Sequence, residues 1–210
     1  MPGADTLDEL QLDALSELVN IGVGRAAAGL REMVGEEVLL TVPAISTVTP
    51  DQAAEMIGGS RVGELVAVEQ HFAGYVSGRA LLIFPEASSL ELARAVTRDI
   101  ASVEQLPELA PEALCETGNV VIQACLGTIA NMLDRTLALN VPHLVRGQAR
   151  DLFPRSAATT VLFVYINFAV GGRRIRGYIA LLMDLPSLQA LKQLVQAFVE
   201  RETGGAEPSR

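Results

Sequence analysis

The chain has 210 residues, half of them apolar, with 16 lysine and arginine residues against 25 aspartate and glutamate residues and a formal net charge of -9. This length and composition are those of a globular protein with one domain or two small ones. They argue against a nucleic-acid-binding face, which needs clustered lysine and arginine; the densest basic cluster, at 171–177, is short and is predicted to be a hairpin tip.

Targeting signals and disulfides are not predicted either. The N-terminus is acidic, without the basic region and apolar run of a signal peptide, and no apolar run is predicted to span a bilayer. Ten residues along one helix would separate Cys115 from Cys125 by about 15 Å, too far for a disulfide. We therefore expect two reduced thiols with a packing role, in a protein of the cytoplasm.

The first half of the chain begins with a helical pattern at about 7–34. An alternating strand around Pro43 follows (EVLLTVPAI), and then a short helix or loop (DQAAEMIG). Two strands, GELVAVEQHF and SGRALLIF, form a predicted hairpin, and the helix ASSLELARAVTR closes this half.

The second half has the same predicted elements in the same order. They are a helix at about 108–134, a strand around Pro142 (LALNVPHLV), a short helix or loop (ARDLFPRS), a hairpin (TTVLFVYINFAV with IRGYIALLM) and the helix PSLQALKQLVQAFVE. The small and polar ends, 1–6 and 203–210, are predicted to be disordered.

A shift of 99 residues aligns the two halves and indicates an old internal duplication. It matches Ala14 with Ala113, Leu15 with Leu114, Glu17 with Glu116, Asn20 with Asn119 and Pro43 with Pro142. We interpret 1–210 as a single domain that contains one repeat at 7–99 and a second at 106–200.

Consecutive hairpins with segregated helices predict an α+β fold. Neither half has enough elements to cover its own sheet. We therefore expect two tandem, pseudo-twofold-related halves that form one antiparallel sheet of about six strands, with the long helices packed on it.

Each long helix carries a polar stripe at positions i, i+4 and i+7, which lie within about 60° of one another on a helix. We name these stripes the first ridge (Asp13, Glu17 and Asn20) and the second ridge (Glu112, Glu116 and Asn119). Apolar residues occupy the opposite side, so both ridges are expected to face solvent or a partner.

A single acidic stripe is typical of a solvated helix face. Asparagine, however, is a poor helix former, and here it recurs with a glutamate three residues before it and a proline 23 residues after it in both halves. The repetition favours a functional site. Pro43 and Pro142 are expected to end or bend an edge strand close to the ridge.

The pattern Asp/Ser-x3-Glu-x2-Asn-x22-Pro, present twice, resembles the CheC family of chemotaxis phosphatases, with its CheX- and FliY-type relatives. The resemblance covers essentially the whole chain. The first ridge with Pro43 matches the pattern in full. In the second half Glu112 stands where the family has aspartate or serine, which keeps the acid but adds a methylene.

The resemblance implies hydrolysis of the phosphoryl-aspartate on a CheY-type response regulator. Phosphoryl transfer needs mainly positioning and charge stabilisation, and an amide can hold a water in line with the phosphorus. By this resemblance each ridge asparagine orients the water and the glutamate before it pairs with a lysine of the regulator. The implied catalytic residues are Glu17, Asn20, Glu116 and Asn119, supported by Asp13, Glu112, Pro43 and Pro142.

The resemblance implies no cofactor of the chain's own, since Mg²⁺ belongs to the regulator's acidic pocket, and it implies the receptor deamidase CheD as a further partner. His71 and His143 are expected to be isolated structural or surface residues, and no other nucleophile motif is present. Two alternatives stay open: a non-catalytic adaptor that binds the regulator, and a module similar to flagellar switch proteins.

Overall fold

A computed structural model of the chain describes residues 7–58, 63–97, 106–153 and 159–204. The helices in these ranges are α1 (Glu9–Val34), α2 (Pro50–Met56), α3 (Glu86–Val96), α4 (Leu106–Met132), α5 (Ala149–Leu152) and α6 (Leu185–Gly204). The strands are β1 (Val38–Val48), β2 (Leu65–Gly74), β3 (Gly78–Pro85), β4 (Leu137–Leu139), β5 (His143–Gly147), β6 (Thr159–Val170) and β7 (Arg173–Asp184).

Helix α1 owes its bounds to capping residues at both ends. The Asp8 side chain accepts a hydrogen bond from the Gln11 backbone N–H (2.8 Å), and the Gln11 side chain accepts one from the Asp8 N–H (3.1 Å). This reciprocal pair is a capping box. At the other end Gly35 adopts the left-handed conformation, with φ 71°, and donates to the Arg31 carbonyl, as a C-terminal glycine commonly does.

The strands form one antiparallel sheet in the order β1-β6-β7-β3-β2-β4, with β5 also paired to β2. Each half supplies an edge strand to the hairpin of the other half. Strand β1 of the first half pairs with β6, and strands β4 and β5 of the second half pair with β2. The predicted α+β fold with one antiparallel sheet is confirmed. Seven strands occupy six positions because one edge position is divided between β4 and β5.

The two prolines lie where the two edge positions are interrupted. The register of β1 against β6 shifts between Thr41 and Ala44, around Pro43. On the other edge, β4 ends at Leu139 and β5 begins at His143, directly after Pro142. A proline cannot donate to the strand ladder, so these interruptions at sheet edges are the positions where it is tolerated.

The core lies on both faces of the sheet. The larger part is packed between the sheet and helices α1, α3, α4 and α6, and includes the edge-to-face pair Phe84 and Phe168, whose ring centroids are 5.3 Å apart. The smaller part lies under α2 and α5 on the opposite face and includes Phe153 and Phe163. The sheet therefore separates a face covered by long helices from a face covered by two short ones.

Helices α1 and α4 pack closely against each other on the larger core. A Cβ added at Gly22 would lie 2.8 Å from the Cα of Cys125 and 3.0 Å from the carbonyl oxygen of Ala124, both backbone atoms of α4. Only glycine permits this approach without a shift of one helix, so Gly22 determines how near the two backbones lie.

Helix α4 bears on the expectation that no apolar run spans a bilayer. In the described ranges, the segment Glu108–Met132 is long and apolar enough to cross a membrane by length and composition. However, 61% of its most apolar stretch is buried inside the fold. Its apolar character is accounted for by packing against α1, α3 and the sheet.

Two further boundaries differ from the expectations. Helix α6 continues to Gly204, two residues into the tail expected to be disordered, while 1–6 and 205–210 lie outside the described residues. The predicted hairpin tip at 171–177 is reduced to the turn at Gly171 and Gly172, because β7 already begins at Arg173. The predicted division of the chain into repeats at 7–99 and 106–200 stays a prediction, and its junction lies at undescribed residues.

The contact between α1 and α4 makes a first testable prediction. Gly22→Ala should lower the free energy of unfolding by about 1–3 kcal/mol, because the added methyl group overpacks a backbone contact. Gly24→Ala is the matched control on the same helix: nothing lies within 4 Å of its added Cβ, and alanine is the better helix former by roughly 0.5–1 kcal/mol. Urea unfolding followed by circular dichroism measures both. Equal effects of the two changes would contradict the close helix contact.

Candidate functional site

The first ridge lies on the exposed face of α1. Asp13, Glu17 and Asn20 are all exposed, whereas residues on the other side of the helix, such as Leu15 and Leu18, are buried. From Asp13 to Asn20 the ridge extends about 10 Å along the helix axis. The solvent-facing orientation expected from the sequence is thus the one observed.

The second ridge has the same outline but a different third member. Glu112 and Glu116 are exposed on α4, whereas Asn119 is only partly exposed. Its Oδ1 atom accepts hydrogen bonds from Nε2 of Gln70 (3.0 Å) and from Nε2 of Gln123 (2.7 Å). Asn119 is therefore hydrogen-bonded both to strand β2 beneath it and to the next turn of its own helix.

Gln70 also connects Asn119 to the segment before Pro142. Its Nε2 atom donates to the Asn140 carbonyl at 2.9 Å, and the Asn140 side chain in turn accepts from the backbone N–H of His71 at 2.7 Å. Gln70 itself is completely buried. Gln70 therefore links the ridge asparagine to the segment between β4 and β5.

A glycine allows α4 to approach the sheet at this point. A Cβ at Gly118 would lie 2.5–2.8 Å from the side-chain carbons of Val68 on β2. Val19 precedes Asn20 at the corresponding position of the first half and is itself buried. The absence of a side chain at Gly118 brings Asn119 within hydrogen-bonding distance of Gln70.

The buried amide of Gln70 is only partly satisfied. Its Oε1 atom is inaccessible to solvent and has no hydrogen-bond partner among the described residues. An unsatisfied buried acceptor of this kind costs about 1–3 kcal/mol. An apolar residue of similar size would avoid that cost, but it would lose the two hydrogen bonds that Nε2 donates to Asn119 and Asn140.

The first ridge lacks such a network. Gly24 stands where the second half has Gln123, and the side chains of β6 that face the helices are apolar, among them Val164 and Ile166. Within the described ranges, the Asn20 side chain has no hydrogen-bond partner, and nothing links it to the segment around Pro43. The two asparagines therefore share a helix position but not an environment.

Sequence reasoning missed several residues of this surface. Leu10 and Leu109 are 56% and 41% exposed, each three residues before the first acid of its ridge. Val141, which precedes the half-buried Pro142, is 80% exposed. The 99-residue shift also aligns Leu10 with Leu109, and this signal was available in the sequence. No such signal existed for Gln70, Gln123 or Asn140, because their network around Asn119 has no copy around Asn20.

The two histidines are not isolated, contrary to the expectation. Nε2 of His71 lies 3.2 Å and Nε2 of His143 lies 3.7 Å from Oε1 of Glu69, and Arg79 contacts Oε2 of the same carboxylate at 3.0 Å. Glu69 is buried and faces the side of the sheet away from the ridges. Glu69 thus joins β2, β3 and β5 through an ion pair with Arg79 and close contacts with the two histidines. In the described part of the chain, no group of three or more His, Cys, Asp or Glu side chains could hold a metal ion.

Neither cysteine has the character of a nucleophile. Burial raises the pKa of the Cys125 thiol to about 12 and also raises the pKa of the half-buried Cys115 above its usual value. Since the thiolate is the reactive form, both residues are protonated near neutral pH. Any hydrolytic chemistry at the ridges has to use the carboxylates and amides.

Known proteins show the same fold and a related sequence. No protein-family model matches the chain. The protein named CheY-P phosphatase CheC of Bacillus subtilis (strain 168) is 24% identical over 141 residues, which span 66% of this chain and 67% of that protein. CheC1 of Halobacterium salinarum is 23% identical over 148 residues, which span 70% and 74% of the two chains.

The crystal structure of Thermotoga maritima FliY superposes with a TM-score of 0.73, covering 91% of this chain and 98% of that one at 17% identity. That similarity shows a shared α+β fold with helices on one continuous sheet. Together with the two CheC relatives, it makes this chain similar in sequence and in fold to proteins of the CheC family.

Thiol reactivity tests the difference in burial between the two cysteines. In the native protein at pH 8, Ellman's reagent should react with Cys115 well before Cys125, because a pKa of about 12 leaves roughly one Cys125 in 10⁴ as thiolate. Denaturant should expose the second thiol. The Cys115→Ser variant should lose the faster phase. Equal native rates for both thiols would contradict the burial of Cys125.

Proposed function

We propose that this protein is a cytoplasmic phosphatase that hydrolyses the phosphoryl-aspartate of a CheY-type response regulator. The observation that carries the proposal is the pair of exposed Asp/Glu–Glu–Asn ridges on the two long helices. A ridge on a convex helix face is suited to entering the active site of another protein. The name of the Bacillus subtilis relative, CheY-P phosphatase CheC, supports the same activity.

The reaction needs little covalent chemistry from this chain. The regulator supplies the phosphoryl-aspartate and binds the Mg²⁺ ion in its own acidic pocket. A water attacks the phosphorus in line with the aspartyl oxygen, a new P–O bond forms, the bond to aspartate breaks, and carboxylate and inorganic phosphate are released. Positioning and charge stabilisation account for most of the acceleration of such a transfer.

Asn20 is suited to position that water. Its exposed amide has no partner among the described residues, so its oxygen is free to accept a hydrogen from the water while its nitrogen donates to a phosphoryl oxygen. In this proposal Asn119 has the equivalent position at the second site. Neither amide reacts itself.

The ridge carboxylates are suited to docking. Glu17 lies three residues before Asn20 and Glu116 three residues before Asn119, so each carboxylate lies beside its amide on an exposed helix face. A lysine at the rim of the regulator's pocket would pair with this acid. Such an exposed pair contributes at most about 1 kcal/mol and serves mainly for orientation and encounter. Asp13 and Glu112 extend the same negative surface by one turn.

Phosphate release from a phosphorylated CheY-type regulator of the same genome, with Mg²⁺, tests this proposal. The intact chain should accelerate release. The Asn20→Ala, Asn119→Ala double variant should return release to the regulator's own rate, since loss of a positioned water costs on the order of 10²-fold. Asn131→Ala, an exposed asparagine on α4 outside the ridge, is the matched control and should retain full activity.

Each alternative has its own outcome in this experiment. Binding of the phosphorylated regulator without faster release would establish the adaptor. Neither binding nor acceleration, tested across the regulators of that genome, would reject the proposed function altogether.

The docking role of the carboxylate has a separate signature. Glu17→Gln keeps the shape of the side chain but removes its charge, so KM for the phosphorylated regulator should rise by about 2- to 5-fold with little change in kcat. Added salt should reduce the difference between the two proteins. Glu32→Gln, an exposed glutamate some 22 Å further along α1, is the control. A fall in kcat at constant KM would assign Glu17 to the chemical step instead.

A further inference from the structure

We propose that Gln70 is a positioning residue that restrains turnover at the second site, so that the two ridges have different roles. The first ridge hydrolyses rapidly, and the second binds the phosphorylated regulator but hydrolyses it more slowly. This inference rests on the proposed function and concerns a residue outside both ridges.

A backbone carbonyl determines how the amides of this network are oriented. The Asn140 carbonyl oxygen can only accept, so the Gln70 atom 2.9 Å from it must be the amide nitrogen. The second hydrogen on that nitrogen points to Asn119, 3.0 Å away, which must therefore present its oxygen. The Gln123 atom 2.7 Å from the same oxygen is then also a nitrogen.

This arrangement uses both lone pairs of the Asn119 oxygen. A carbonyl oxygen of an amide accepts two hydrogen bonds, and here Gln70 and Gln123 supply them. Only the Asn119 nitrogen, with two hydrogens to donate, is left to face a partner. It is suited to hold phosphoryl oxygens of a docked regulator, which are acceptors. It cannot accept a hydrogen from the attacking water.

The first ridge has no equivalent of this restraint. Gly24 replaces Gln123, the helix-facing side chains of β6 are apolar, and Val19 replaces the glycine that brings α4 close to the sheet. Asn20 keeps both its acceptor and its donor available. The difference between the sites therefore lies in the residues beneath and beside each asparagine, while the ridges themselves are nearly the same.

The test isolates the second site by placing every variant in an Asn20→Ala background. Gln70→Leu introduces the apolar character found on β6 and releases one acceptor position of Asn119. Gln123→Ala releases the other at an exposed helix position, where alanine leaves folding intact. Gln193→Ala, an exposed glutamine on α6, is the matched control for the second change. Steady-state phosphate release from the phosphorylated regulator is measured for each.

Each of the two substitutions, Gln70→Leu and Gln123→Ala, should raise kcat about 2- to 10-fold, while KM stays within 2-fold. This range corresponds to the free energy of one net hydrogen bond. Gln193→Ala should change neither constant. A merely structural role of Gln70 would lower kcat or weaken binding. Unchanged or reduced kcat in both folded variants would overturn the inference. The network would then hold Asn119 in the orientation that hydrolysis requires.

Failure of this inference is distinguishable from failure of the proposed function. The Asn119→Ala chain, with Gln70 intact, reports on the first site alone. If that chain accelerates phosphate release while the Gln70 and Gln123 variants do not raise the rate of the second site, only the inference fails. If neither that chain nor the intact chain accelerates phosphate release, the proposed function itself is rejected.

Discussion

The close contact between α1 and α4 determines which helix faces are available to a partner. At Gly22 the two backbones approach so nearly that a single methyl group would contact Cys125. With both helices packed together over the sheet, the faces that carry the ridges are left exposed. The exchange of edge strands between the halves reinforces this arrangement, because neither sheet half is complete without strands from the other. The positions of the two sites are thus a property of the whole domain.

The two long helices carry similar ridges, but the two sites are not equal. Asn20 is exposed without a partner in the described ranges, whereas Asn119 is attached to Gln70 and Gln123. Gln70 leaves one buried oxygen unsatisfied. A protein that binds at one ridge and hydrolyses mainly at the other would combine the properties of an adaptor and of a phosphatase in one chain, so the two interpretations of the sequence need not exclude each other.

Periodicity predicted the parts of this structure that depend on local sequence. The helices, the hairpins and the exposure of Asp13, Glu17 and Asn20 follow from spacing along one element, and the repeat then predicted a single sheet. Contacts between distant residues were not predictable in this way. Gln70 and Asn119 are 49 residues apart, and His71 and His143 meet at Glu69 only because β2 and β5 pair in one register. Comparison of the two repeats also cannot predict the role of a residue such as Gln70, which has no matching residue in the other half.

The most direct test of the account is to observe where a phosphorylated regulator docks. The side-chain amide resonances of Asn20 and Asn119 can be followed by NMR in a ¹⁵N-labelled chain while unlabelled CheY-type regulator is added, with and without its phosphoryl group. The account predicts that both resonances shift or broaden with the phosphorylated regulator and remain nearly unchanged with the other form. Perturbations confined to the face of the sheet under α2 and α5, or unaffected ridge signals despite binding, would contradict it.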